Sequence, residues 1–296
     1  MSYKSGFVSI IGRPNVGKST LLNNISGQKI AITSEKPQTT RRRIRGIYSS
    51  EKGQIIFVDT PGIHKPANKL GEFLLEEAKL AVPDSDLVIF LVDGTQKAGT
   101  GDKWIVENLL GIDIPVIMAI NKVDQIKSLE TREENIESYK ELFGDKPVSI
   151  VKISAKTGRN IDTLIKNIYR KLPEGPKYYP DEEVTDQSTR SIIEEMIREG
   201  ILANTREEIP HSVAVTVETY EEKPNIVRIS ASIFVERDSQ KGIIIGSQGL
   251  MLKKIGTEAR SEIENMLKNK VFLELAVKVK KDWRKKDSEL KGFGYS

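Results

Sequence analysis

The chain has no cysteine and only two histidines in 296 residues. Without thiols there are no disulfides, no thiolate catalysis and no cysteine-based metal sites. Two histidines, His64 and His211, are too few for a histidine metal cluster. His64 reads as a solvated loop residue. No apolar stretch approaches the ~18 uncharged residues of a membrane span. Residues 1–6 lead straight into the first apolar strand, so no signal peptide is expected. Internal repeats and low-complexity tracts are absent as well. What is present is a 38% hydrophobic content and a net charge of +4. That suffices for real cores, and the length implies about two domains.

The most informative stretch is GRPNVGKST: Gly12, Arg13, Pro14, Asn15, Val16, Gly17, Lys18, Ser19 and Thr20. It fits the phosphate-loop pattern G-x-x-x-x-G-K-[ST]. Glycines let backbone N–H groups close around phosphates, Lys18 can reach the β/γ oxygens, and the Ser19 hydroxyl can bind Mg²⁺. The apolar run Phe7–Ile11 supplies the preceding strand, and Leu21, Leu22 and Ile25 supply the helix whose positive end faces the anion.

Three further motifs end apolar strands. Asp59-Thr60-Pro61-Gly62 follows Ile55–Val58, Asn121-Lys122-Val123-Asp124 follows Val116–Ile120, and Ser154-Ala155-Lys156 follows Ile150–Ile153. A fifth strand, Leu87–Val92, ends in Asp93-Gly94. Helical patterns lie between them at Leu70–Ala81, Trp104–Leu110, Thr131–Phe143 and Ile161–Leu172. The alternation predicts an α/β domain with a mostly parallel six-stranded sheet, its ligand at the carboxyl ends of the strands. Asp124 can accept from guanine N1–H and its exocyclic amine, a donor pair that adenine lacks. Asn121 would tie the base loop together, the Lys122 stem would lie over the ring, and Ala155 would offer its N–H to guanine O6.

These motifs resemble the translation-factor-related P-loop GTPases. That resemblance makes Asp59 the water-mediated Mg²⁺ ligand and turns the Gly62 N–H toward the γ-phosphate. It also places an Mg²⁺-binding threonine in Lys36–Arg41, Thr40 being chosen and Thr39 the alternative. Catalysis would then rest on Lys18, Thr40 and Gly62, and the metal on Ser19, Thr40 and Asp59. The position of the water-orienting glutamine of Ras-like proteins is Ile63 here, which cannot hydrogen-bond water. Unaided hydrolysis is therefore expected to be slow. Asn15 stands where a related group of GTPases holds a K⁺ over the phosphates; the other reading makes it a loop cap.

Pro173, Gly175, Pro176 and Pro180 punctuate a break at Leu172–Asp186, which reads as a linker over 175–186 between domains at 1–174 and 187–296. The second domain reads α-β-β-α-α-β, with a helix over Ser188–Leu202, alternating strands at 213–218 and Ile226–Val235, and a turn at Glu221–Asn225. Ile245-Gly246-Ser247-Gln248-Gly249 resembles the GxxG loop of type II KH domains, where main chain closes on a single-stranded RNA backbone. Lys253 and Lys254 follow and can neutralise phosphates. Residues 181–236 hold 5 basic and 13 acidic residues, whereas 237–296 hold 14 and 8. Lys278, Lys280, Lys281, Arg284, Lys285 and Lys286 flank Trp283, a composition that suits phosphate contacts with stacking.

Taken together, GRPNVGKSTL, PQTTR, DTPGIHKP, NKVD, ISAKTG, YYPDEEVTDQ and the GSQG loop resemble the Era family, TrmE-Era-EngA-like GTPases with a C-terminal KH domain, over essentially the whole chain. The resemblance implies a GTP/GDP- and Mg²⁺-binding, monomeric bacterial cytoplasmic protein. It would bind 16S rRNA near its 3′ end and assist maturation of the small ribosomal subunit. Peripheral association with the inner face of the cell membrane is also attributed to that family. Two alternatives stand beside it: an RNA chaperone with nucleotide as a structural ligand, and a membrane-associated GTPase using its basic tail.

Overall fold

The computed structural model describes residues 2–34, 41, 43–60, 62, 83–109, 114–206 and 209–295, with the backbone alone at 108, 109 and 211. Thr39, Thr40, Pro61, Ile63, His64 and the helix expected over 70–81 lie outside the described residues. The chain divides into two compact units; the last change from the first to the second falls between Asp186 and Gln187, and among the described residues 32–34 also group with the second.

In the first unit, β1 (Lys4–Ile11), β2 (Ile44–Ser50), β3 (Gly53–Asp59), β4 (Leu87–Asp93), β5 (Val116–Asn121) and β6 (Ser149–Lys152) form one sheet, ordered β2-β3-β1-β4-β5-β6. Five strands are parallel, and β2 is the antiparallel hairpin partner of β3. β3 and β4 are buried at every position. Strands without alternation need cover on both faces. Helices α1 (Lys18–Ser26), α2 (Thr100–Leu109), α3 (Leu129–Lys140) and α4 (Ile161–Lys171) provide it. Leu21, Leu22, Leu164 and Ile168 of α1 and α4 pack with Val8, Ile10 and Ile89 on one face. Ile105, Ile136 and Tyr139 of α2 and α3 pack with Ile11, Phe90 and Val92 on the other.

Helix starts depart from the sequence expectation for local reasons. α3 begins at Leu129 because Ser128 caps it, its hydroxyl accepting the Thr131 N–H at 3.4 Å. α2 begins at Thr100, one turn before Trp104, where Asp102 Oδ2 accepts the Gly99 N–H at 2.8 Å.

Residues 173–186 are bonded along the first unit. Gly175 N–H donates to Tyr3 O at 3.3 Å, and Ser5 Oγ donates to Pro176 O at 2.6 Å. The buried Gln54 amide takes both the Tyr178 and Tyr179 N–H groups at 2.9 Å and donates to Tyr179 O at 2.8 Å. Ile47 N–H donates to Val184 O at 2.9 Å, and Gly46 bridges to Thr185.

The second unit comprises α5 (Thr189–Asn204), α6 (Ile209–Ser212), β7 (Ala214–Lys223), β8 (Ile226–Val235), α7 (Asp238–Ile245), α8 (Leu250–Leu267), β9 (Val271–Val279) and α9 (Asp287–Gly292). The expected order is present, with the short α6 and α9 added. β7 runs on to Lys223, which tightens the hairpin turn to Pro224 and Asn225. β8 pairs antiparallel with β7 and parallel with β9. Ile193, Ile197 and Ile201 of α5 and Ile255, Ala259 and Ile263 of α8 share one core with the sheet.

The basic tail differs from its sequence reading. Trp283 is fully buried and donates its Nε1–H to Ser212 O at 3.0 Å. Phe293 meets it edge-on at 5.1 Å, and Tyr295 stacks at 6.1 Å. The end of the chain folds back over the indole, so it is a core residue and presents no stacking surface. Four of the six tail cations are paired: Lys278 with Glu218 at 3.2 Å, Lys285 with Asp282 at 3.1 Å, Lys280 with Glu289, and Arg284 with Glu236. Among the described residues, no helix is long and apolar enough to cross a membrane.

Candidate functional site

The loop from Gly12 to Gly17 joins β1 to α1. Gly17 takes φ 104, and a Cβ there would stand 2.3 Å from Asn121 Nδ2, so only glycine fits. Lys18 is buried, its ammonium donating to Gly12 O at 3.2 Å and Arg13 O at 3.1 Å. Burial pulls its pKa below the ordinary lysine value, against the opposing pull of Asp59. A desolvated cation held over a ring of backbone is a seat for an anion.

Ser19 and Asp59 meet beside it, the hydroxyl donating to Asp59 Oδ2 at 2.9 Å. One hard hydroxyl oxygen and one carboxylate fit a divalent cation that completes its shell with phosphate and water. Thr60 is buried and tied to β1 by its hydroxyl on Ile10 O at 2.9 Å. Gly62 lies against Pro14; a Cβ there would come within 2.9 Å of Pro14 Cα. Asn15 takes φ 64 and is exposed. Thr20 is half-buried on α1.

Asn121 ties three motifs together. Its Nδ2 donates to Val16 O at 2.7 Å and its Oδ1 accepts the Ala155 N–H at 2.8 Å. The Ala155 N–H, expected to face guanine O6, is thus engaged inside the protein, because the Asn121 oxygen lies within its reach. Ser154 accepts the Thr157 N–H at 3.1 Å and so closes its own loop. Lys156 is exposed on that loop, and Asp124 is exposed on the turn after β5, which leaves its carboxylate open to a ligand.

Sequence reasoning missed what holds Lys122. Its ammonium reaches Asp93 Oδ2 at 2.6 Å, and Asp93 Oδ1 accepts the Thr95 N–H at 3.0 Å and hydroxyl at 2.6 Å. Burial pushes the Asp93 pKa up, but the bonds from Lys122 and Thr95 outweigh it and hold the carboxylate below its ordinary range. Asp93 therefore stays charged and fixes the Lys122 side chain on the turn after β5. The signal was the Asp93-Gly94 pair at the carboxyl end of β4.

In the second unit, Gly246 ends α7 at φ 70, and a Cβ there would stand 2.6 Å from Met251 Cβ. Ser247–Gly249 make a 3₁₀ turn into α8. Ile245 is half-buried, while Ser247 and Gln248 lie open at the turn. Beside it runs a groove of about 510 Å³, lined by Gly249, Leu252, Lys253, Gly256, Arg260 and Leu275 among others. Lys254 points along the exposed side, 4.0 Å from Glu258. Arg260 was not singled out in the sequence; it stands seven residues after Lys253, two turns along one helical face. Leucines on the floor and cations on the rim suit an unpaired nucleic acid strand.

A family model described as a 50S ribosome-binding GTPase matches residues 7–122, and one described as a KH domain matches residues 208–284. The chain is similar to GTPase Era of Halothermothrix orenii, 51% identical over 296 residues and covering 100% of this chain and 99% of that protein. It is also similar to GTPase Era of Carboxydothermus hydrogenoformans, 52% identical over 300 residues, with 100% and 99% covered. Among solved structures it is similar to Era in complex with MgGDPNP and nucleotides 1506–1542 of 16S ribosomal RNA. That likeness has 40% identity and a TM-score of 0.95, with 99% of each chain covered. A substituted Aquifex aeolicus Era bound to GDP and AlF4⁻ gives 40% identity and 0.94, again with 99% of each covered.

Proposed function

Because this chain belongs to the Era family of GTPases, we propose that its bound nucleotide governs how tightly its KH domain holds single-stranded RNA. The RNA is the 3′ region of 16S rRNA, and the task is maturation of the small ribosomal subunit. One observation carries this reading. A guanine-nucleotide site and a GSQG loop with its groove occur in one chain that matches, end to end, a protein solved with both MgGDPNP and that RNA.

Mg²⁺ would be held by Ser19 and Asp59, with Thr40 joining when GTP is bound, and would neutralise charge on the β- and γ-phosphates. Lys18 would bind the same oxygens, and the Gly62 N–H would face the γ-phosphate. With Ile63 in place of a water-orienting glutamine, turnover is slow unaided. A K⁺ at Asn15 would supply part of the missing electrostatic stabilisation. The protein would act as a monomer in the bacterial cytoplasm. Peripheral membrane association is the weaker alternative, since most tail cations already have acidic partners.

Anisotropy of a labelled single-stranded RNA, titrated with the full chain in GDP and in GDPNP, tests the switch. Tighter binding in GDPNP is expected, and reciprocity requires RNA to raise GDPNP affinity by the same factor. Equal RNA affinity in both nucleotides would make the nucleotide a structural ligand and favour the chaperone reading.

A further inference from the structure

Tyr139 stands between the two halves of the nucleotide site. It is fully buried on α3, with its hydroxyl donating to Asp93 O at 3.1 Å. Asp93 is the residue that holds Lys122 on the guanine side, at 2.6 Å. On the other side, the Arg13 guanidinium of the phosphate loop adjoins the same phenol. Arg13 is in turn paired through Nε with Asp102 Oδ2 at 2.8 Å, and Asp102 is fully buried at the start of α2. The Arg13 side chain lies flat on that turn: a Cβ at Gly101 would come within 2.9 Å of Arg13 Cδ. The backbone of Arg13 meanwhile accepts from Lys18 at 3.1 Å. The same helix grips the neighbouring peptide, since Asn135 Nδ2 donates to Gly94 O at 2.9 Å.

The Arg13 side chain is therefore engaged by the start of α2 and by the Tyr139 phenol. A guanidinium has donors only, so toward the phenol oxygen Arg13 can act only as a donor. A phenol has one proton and can accept while it donates. The Tyr139 proton goes to Asp93 O, which leaves the oxygen lone pairs facing Arg13. Burial, with the Asp102 charge adding, pushes the phenol pKa up to about 12 against the pull of Arg13, so the hydroxyl keeps its proton. On the nucleotide-site reading proposed above, both ends of the chain of contacts would touch nucleotide: Lys18, bonded to the Arg13 carbonyl, at the phosphates, and Lys122, bonded to Asp93, at the base.

We propose that Tyr139 is a positioning residue for guanine-nucleotide binding, its hydroxyl coupling the phosphate loop to the lysine on the base side, with Asp102 as the buried anchor of the same brace. Tyr139→Phe removes one oxygen and leaves the ring packed, so the variant folds. In stopped-flow titrations of the full chain with fluorescent GDP, Tyr139→Phe is expected to weaken binding about five-fold. Two double-mutant cycles on GDP affinity, Tyr139→Phe with Lys122→Met and Tyr139→Phe with Asp102→Asn, are expected to be non-additive.

A hydroxyl that serves packing alone would lower the melting temperature of the nucleotide-free protein and leave GDP affinity unchanged. That result, or two additive cycles, overturns the proposal. The unsubstituted chain is the control: if it takes up no GDP, the failure belongs to the nucleotide-site reading and not to the brace.

Discussion

Asn121 Nδ2 donates to Val16 O at 2.7 Å, joining the end of β5, where the NKVD turn begins, to the glycine-bracketed loop between β1 and α1. The residue is buried and its oxygen is used as well, by Ala155 N–H. Asn121→Ala would leave a buried carbonyl and a buried amide without partners. It is expected to lower the stability of the nucleotide-free first unit by about 2 kcal/mol and to speed GDP dissociation. Thermal melting with and without GDP checks both effects.

Asp124 is exposed and projects from the same turn. Asp124→Asn replaces a two-acceptor edge with one acceptor and one donor. GTP affinity should fall roughly ten- to a hundred-fold, while affinity for xanthosine triphosphate rises. Competition titrations against a fluorescent guanine nucleotide give the ratio.

Lys18 makes nucleotide affinity pH-dependent. Burial lowers its pKa in the nucleotide-free protein, and bound phosphates must raise it again. Affinity is therefore full below the pKa of the nucleotide-free protein and falls as pH rises from that value to the pKa of the complex. Within the window the slope is about tenfold per pH unit. Calorimetry at alkaline pH in two buffers of different ionisation enthalpy should report proton uptake on GDP binding. Equal observed enthalpies would refute the linkage.

Trp283 tests the corrected reading of the tail. Trp283→Ala empties the centre of a cluster with Phe293 and Tyr295 and strips a bond from Ser212 O. It should cost about 3–5 kcal/mol of second-unit stability in urea. A variant of parent stability that binds RNA weakly would restore the stacking role.

Gly246→Asp places a carboxylate and a Cβ at φ 70 on the GSQG turn, with Met251 only 2.6 Å from that Cβ. RNA binding should weaken by clash and by repulsion of phosphate, with melting temperature as the check on folding. Lys253→Ala, on the exposed rim, should weaken binding to all sequences and reduce the salt slope by about one. Filter binding across a salt series separates the two.

The residues legible in the sequence are those whose chemistry needs neighbours in the chain. Gly12, Gly17, Lys18 and Ser19 must be contiguous to wrap a phosphate, and the NKVD turn must follow a strand to reach a base edge. Tyr139, Asp102 and Asn135 carry no such mark. Each sits on a helix surface where an apolar or capping role is the ordinary expectation, and only packing brings them under the loops. The partner of Ala155 N–H was illegible for the same reason. Trp283 was misjudged because its surroundings in sequence are cations, whereas its surroundings in space include Phe293 and Tyr295, both buried. Arg260 could have been found by carrying the helical period two turns beyond Lys253.

The bonds from Val184 and Thr185 to Ile47 and Gly46 fall on β2, the terminal strand of its sheet. A terminal strand with unsatisfied amides is a template on which a second molecule can add. A fragment truncated at 174 would strip that cover, together with three bonds to the Gln54 amide, and should clump on concentration. One truncated at 186 keeps its border sealed and should remain dispersed.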